Sequence, residues 1–147
     1  MVMPSGPTEM RGGRGRGVFT GGNAAPSTTY VDTMSFVTIA TTGNAEDFGD
    51  LINGTNNFSG CAGSTRGVFM GGNPGLNNID FVTIQSTGSA FEFGDLSTVR
   101  TQAGAVANYT RGLNLGGQSS SITTDKIEYI TFATKGNAII PTMTIAI

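Results

Sequence analysis

Histidine and tryptophan are absent from this 147-residue chain, and cysteine occurs once. Without His, imidazole general-base catalysis and imidazole metal ligation are excluded. With Cys61 alone, an intrachain disulfide and a Cys-based zinc cluster are excluded too, and a small buried apolar role is the expectation for it. Charge is scarce: Asp, Glu, Lys and Arg make up 12% of the chain and the net charge is −2. That leaves no electrostatic footprint for nucleic acid. No apolar run approaches the ~20 residues that span a bilayer, so no membrane insertion is expected. Met1–Ser5 carries neither a basic start nor a hydrophobic stretch, so no signal peptide is expected either.

Glycine, by contrast, is abundant, at 23 residues. It recurs at fixed places between apolar β-branched runs, which argues for turns in an all-β fold rather than disorder. Arg16-Gly17-Val18-Phe19-Thr20-Gly21-Gly22 returns as Arg66-Gly67-Val68-Phe69-Met70-Gly71-Gly72 and as Arg111-Gly112-Leu113-Asn114-Leu115-Gly116-Gly117, in steps of 50 and 45 residues. Such a period belongs to stacked or radial repeats. Residues 1–8 read as a loose lead-in, and 9–147 as one repeat domain with units of approximately 9–51, 52–96 and 97–147.

Each unit predicts three strands. The first is small-residued: Met10–Arg14, Gly60–Ser64 or Ala105–Tyr109. The second ends on the double glycine, and the third carries a central aromatic, Phe36, Phe81 or Tyr129. On that third strand one face shows Met34/Ile79/Ile127 and Phe36/Phe81/Tyr129; the other shows Val37/Val82/Ile130 and Ile39/Ile84/Phe132. Side chains alternate along a strand, so a strand apolar on both faces must be covered on both. The turns Thr42-Gly43-Asn44-Ala45 and Thr87-Gly88-Ser89-Ala90 lead into Phe48-Gly49-Asp50-Leu51 and Phe93-Gly94-Asp95-Leu96. The third unit replaces that ending with Ile139–Ile147.

From Asp50 to Arg66 and from Asp95 to Arg111 the distance is 16 residues both times. Between the double glycine and the aromatic strand the length varies over 11, 6 and 9 residues, in Asn23–Thr33, Asn73–Asn78 and Gln118–Lys126. A fixed scaffold with one family of variable loops is how repeat proteins present a binding face. Asn23, Asn73, Asn77, Asn78, Gln118 and Ser119 are the candidate binding-loop residues.

Asp50 and Asp95 recur with the fold, which favours a structural role: accepting turn amides, or pairing with the repeated arginines. Glycosidase chemistry needs two carboxylates converging on one bond, and no such pair stands out. Asp32, Asp80, Asp125 and Glu128 lack the dense loop pattern of a calcium site. Gly12–Gly17 lacks the Lys-Ser/Thr of a phosphate loop. No catalytic, cofactor-binding or metal residue is expected.

The double glycine, the aromatic strand and the short strand after it resemble kelch-type β-propeller repeats over about residues 9–138, with Phe48 and Phe93 standing near the family's usual Trp. Thr65–Gly72 and Phe36–Ala45 most resemble the kelch-like repeats of virion proteins from tailed phages of the cyanophage type. The resemblance implies an all-β fold of kelch-like blades. Three units fall short of the usual four to eight, so closure by oligomerisation is expected, most simply two chains giving about six blades. It also implies a non-enzymatic structural or adhesive protein on a virion's tail or capsid exterior, assembled in the host cytoplasm. Its partners would be other copies of itself, neighbouring virion proteins and a host surface glycan. The alternative is a bacterial β-propeller module for protein interaction or glycan binding.

Overall fold

A computed structural model describes residues 15–141. The expected lead-in 1–8, the first small-residued strand Met10–Arg14 and positions 142–147 of the C-terminal segment lie outside the described residues. The described chain is all-β, and its sheets are antiparallel.

The middle repeat holds a complete four-stranded sheet. Its strands are β4 (Ser59–Ala62), β5 (Arg66–Gly72), β6 (Leu76–Thr83) and β7 (Phe91–Asp95), in sequence order. The first repeat supplies β1 (Arg16–Thr20), β2 (Thr33–Thr38) and β3 (Glu46–Asp50). The third supplies β8 (Gly104–Ala107), β9 (Arg111–Leu115) and β12 (Ile127–Thr131), ordered β12-β9-β8. A two-stranded hairpin, β10 (Gln118–Ser119) and β11 (Ile122–Thr123), rises from the third variable loop. Its connection is the pair Ser120-Ser121, with φ of 49° and 68°. Two successive positive φ values match the twist of flanking strands in a two-residue hairpin.

Equivalent residues pair equivalently. Val18 lies opposite Phe36, Val68 opposite Phe81 and Leu113 opposite Tyr129. In both complete outer strands the register shifts at the same point: Met34 pairs Gly49 while Ser35 pairs Asp47, and Ile79 pairs Gly94 while Asp80 pairs Glu92. Phe48 and Phe93 are therefore the extra residues of matching bulges. A bulge bends its strand and re-aims a side chain, and here both rings are buried, edge-on to Phe36 and Phe81. Among the described residues the third repeat shows the start of such a strand, a bridge between Tyr129 and Ile139.

Among the described residues two apolar clusters form the core, and each spans a joint between repeats. Met34, Phe36, Phe48 and Leu51 of the first repeat pack with Val82 of the second. Met70, Ile79, Phe81 and Phe93 of the second share a cluster with Ile130 and Phe132 of the third. The expectation that both faces of the aromatic strand are covered thus holds in full for the middle repeat, where Ile79, Phe81, Val82 and Ile84 are all buried. Small residues let β4 and β9 approach: a Cβ on Gly112 would stand 2.7 Å from Cys61 Sγ.

Backbone bonds complete the joints. Phe48 and Asp50 carbonyls accept from the amides of Gly88 and Ala90, at 2.6 and 2.8 Å. Phe93 and Asp95 do the same for Gly136 and Ala138, both at 2.8 Å. The repeated Gly-x-Ala turn, Gly88-Ser89-Ala90 or Gly136-Asn137-Ala138, is thus the part of one repeat that latches onto the outer strand of the repeat before it. Gly49, at φ 137°, leaves room for that latch: a Cβ there would fall 2.6 Å from the Gly88 oxygen.

Candidate functional site

The three repeated arginines stack on the three repeated aromatics. Arg16 lies 4.3 Å above Phe36, Arg66 4.7 Å above Phe81 and Arg111 4.6 Å above Tyr129. An arginine plane over an aromatic face contributes roughly 0.5–2 kcal/mol depending on its desolvation. Arg16 Nη1 also donates to the Ile84 carbonyl and Arg66 Nη1 to that of Phe132, each in the next repeat. Arg16 and Arg66 are joint fasteners. Among the described residues none of the three repeated arginines pairs with Asp50 or Asp95, whose backbone carbonyls, rather than their carboxylates, make the joint bonds.

A second, buried set of polar groups lies along the same joints. Asp80 Oδ2 accepts the Ile52 amide at 3.1 Å, and Glu128 Oε1 accepts the Ser97 amide at 2.8 Å. Each carboxylate holds the exit of the preceding repeat. Burial pushes the Asp80 carboxyl above its ordinary value, with a smaller push from Glu92, against the pull of the Asn78 and Ile52 bonds. Glu128 additionally meets Arg100 at 3.1 Å, both side chains fully buried. Cys61 is buried as expected, and desolvation pushes its thiol up to about 12, which leaves it inert as a nucleophile at neutral pH.

The six loop residues singled out by spacing divide in the structure. Asn77 and Asn78 fall on β6, where their amides are spent on Leu96 and Asp80 at the joint. Asn23 and Asn73 join a side-chain ladder through Asn56: Asn56 Nδ2 donates to Asn23 Oδ1 at 2.7 Å, and Asn73 Nδ2 donates to Asn56 Oδ1 at 2.9 Å. Ser119 sits in β10, opposite Ile122. Gln118 and Asn73, however, come together at one polar groove.

This groove has a volume of about 320 Å³ and is lined by Asn73, Gly75, Val99, Thr101, Gln102, Gln118, Ser120 and Ser121. Its walls are the turn after β5, the strap joining the second and third repeats, and the β10–β11 hairpin. Thr101 and Gln118 exchange two backbone bonds, of 2.8 and 2.9 Å, which fix the hairpin to the strap. The lining is amide and hydroxyl, with no charged side chain. Gln102, Ser120 and Ser121 all hold positive φ, and Asn57 is the other non-glycine that does so among the described residues. Strained backbone of this kind costs of order 1–3 kcal/mol per residue and gathers where a loop must hold a given shape.

Val99, Thr101 and Gln102 were not anticipated from the sequence, whereas Ser120 and Ser121 lie within the variable loop Gln118–Lys126. The triple serine Ser119–Ser121 is a turn signal; nothing in the residue type of Gln102 marks its φ of 54°. Among the described residues no group of His, Cys, Asp or Glu is arranged to hold a metal ion, and no helix is long and apolar enough to cross a membrane. Comparison with protein-family models and with curated proteins finds no match for this chain.

Proposed function

We propose that this chain is a non-enzymatic display module, a structural and adhesive component of a tailed-phage virion, carried on the tail or capsid exterior. Its repeats form kelch-like blades, and oligomerisation closes them into a propeller. The groove at the third variable loop is its contact with a neutral polyhydroxy ligand of the host surface glycan class. One observation carries the binding part: an uncharged lining of amides and hydroxyls whose shape is held by three strained non-glycine residues, Gln102, Ser120 and Ser121. Amide and hydroxyl groups can both donate and accept toward sugar hydroxyls, and Val99 offers an apolar patch for a ring face. Rigid joints on either side keep those groups in place without a ligand, which lowers the ordering cost of binding.

The test is a glycan-array screen with the full chain, followed by titration calorimetry on the best hit. Gln102→Gly relaxes the strained backbone and deletes the amide; it is expected to weaken binding at least tenfold while the thermal midpoint stays level or rises. A chain that retains no glycan, or a hit indifferent to both Gln102→Gly and Gln118→Ala, refutes the binding part. Immunogold labelling of purified particles tests the virion part separately, since a component occupies a fixed, symmetric position.

A further inference from the structure

Both interior joints are built alike, and that likeness defines what the two outer faces lack. In each joint the front of one repeat presents its arginine and aromatic. The back of the next presents a valine or isoleucine, then Ile84 or Phe132, whose carbonyl takes the arginine. Val82, Ile84, Ile130 and Phe132 are 2–6% exposed as a result. The corresponding residue of the first repeat, Ile39, is 46% exposed, and Phe19 beside it is 57% exposed. Among the described residues the Ile39 carbonyl has no arginine on it, although its amide bonds Gly15 just as the amides of Ile84 and Phe132 bond Thr65 and Thr110.

The third repeat shows the opposite half. Arg111 is stacked over Tyr129 as its counterparts are, yet it is exposed and reaches no carbonyl among the described residues. Tyr129 and Ile127 are only half-buried, where Phe36, Phe81, Met34 and Ile79 are buried. Among the described residues front and back are thus each left open once, at opposite ends of the array, and they are complementary by construction: the pattern they need already joins repeat one to two and two to three.

We infer that the occupant of the open front is the open back of a second copy of this chain, with Arg111 donating to the carbonyl of the partner's Ile39. The contact continues an interface that the chain makes twice within itself. It is heterologous, so copies add head to tail and close into a ring when the rotation per joint allows. This specifies the oligomer joint of the proposal above and is independent of the groove and of any glycan.

Sedimentation velocity on the full chain tests it, with Ile39→Glu on the back and Arg111→Ala on the front. Both residues are exposed, and circular dichroism checks that each variant folds. The wild type is expected to sediment as a multiple of the chain mass, and each variant to associate at least tenfold more weakly. The decisive sample is their equimolar mixture. Ile39→Glu keeps a sound front and Arg111→Ala a sound back, so the mixture should form a pair and nothing larger. A wild type that stays a single chain, its open faces covered by its own terminal segments, overturns the inference. So do variants that assemble like the wild type, or a mixture without pairs, as an isologous contact would give.

Discussion

The buried Arg100–Glu128 pair offers the sharpest quantitative test of how the joints hold. Arg100 Nη2 meets Glu128 Oε2 at 3.1 Å, Arg100 Nη1 donates to the Gly116 carbonyl at 2.9 Å, and Glu128 Oε1 accepts the Ser97 amide at 2.8 Å. Arg100 Nε finds no acceptor, so part of its desolvation is uncompensated. Arg100→Met strands a carboxylate that is fully buried, at an expected cost of about 3–5 kcal/mol. That is a large share of the roughly 5–15 kcal/mol available to a domain. Glu128→Gln keeps an acceptor for Ser97 but strands the guanidinium, with a penalty of about the same size.

The double variant Arg100→Met/Glu128→Gln should cost far less than the two singles together. It removes both charges, leaves the Ser97 amide bonded and loses chiefly the Gly116 contact, about 1–2 kcal/mol. The first joint shows why this is tolerable: Thr55 stands where Arg100 does and Asp80 where Glu128 does, and among the described residues that joint has no ion pair. Urea denaturation of the four proteins gives the cycle, provided the m-value holds. An Arg100→Met cost below ~1 kcal/mol, or a double equal to the sum of the singles within about 0.5 kcal/mol, refutes the reasoning.

Gly49→Ala forces a Cβ against the Gly88 carbonyl at a positive φ and should cost about 2–4 kcal/mol. Gly60→Ala, whose Cβ would make ordinary 3.5 Å contacts, should stay within about 1 kcal/mol, both read by thermal melts. Arg66→Lys should destabilise by about 1–2 kcal/mol, because an ammonium does not reproduce the planar stack on Phe81 together with the bond to Phe132. Asp80 has its pKa raised in the folded protein, so the folded state holds its proton to higher pH than the unfolded one. Its contribution is fully present below the ordinary value of 3.8 and is lost as pH rises through the folded value. Asp80→Asn should flatten that fall in melts recorded upward from about pH 4. Replacing Ser120-Ser121 with Asn-Gly, the pair best suited to two positive φ values, should stabilise the hairpin by about 1 kcal/mol.

The repeat was legible in the sequence because its determinants are local and loud: glycine pairs, an arginine two residues before an apolar position, an aromatic between β-branched neighbours. Periodicity of two over Met34–Ile39 and Ile79–Ile84 placed both faces of the aromatic strand correctly, since side-chain alternation leaves no other reading. The partners of those residues were less legible. Whether Arg66 meets Asp95 or the Phe132 carbonyl depends on how repeats stack, and stacking is not written at any one position. Likewise Asn77 and Asn78 look like loop residues by type, but β6 begins at Leu76 and draws their amides into the joint. Gln102 was invisible because positive φ at a glutamine is imposed by its surroundings, here the bond from its amide to the Asn57 carbonyl at 2.8 Å.

The joints and the groove are therefore linked by more than proximity. Asn57 and Gln102 occupy equivalent places in successive straps, and both adopt positive φ, at 53° and 54°. The strain is thus a feature of the repeat, reproduced in both described straps that cross to the next repeat. What distinguishes the groove is the loop added beside it: the β10–β11 hairpin stands next to the second strap and closes a wall that the turn Asn73–Gly75 is too short to build next to the first. Loop length at one variable position then decides which strap becomes a site, while the arginine stacks and amide latches that fix the straps stay constant. Lengthening the turn at Pro74-Gly75 should create a second groove without disturbing either joint, because the segment is held to its neighbours by Asn73 and by β6 and not by Pro74-Gly75 itself.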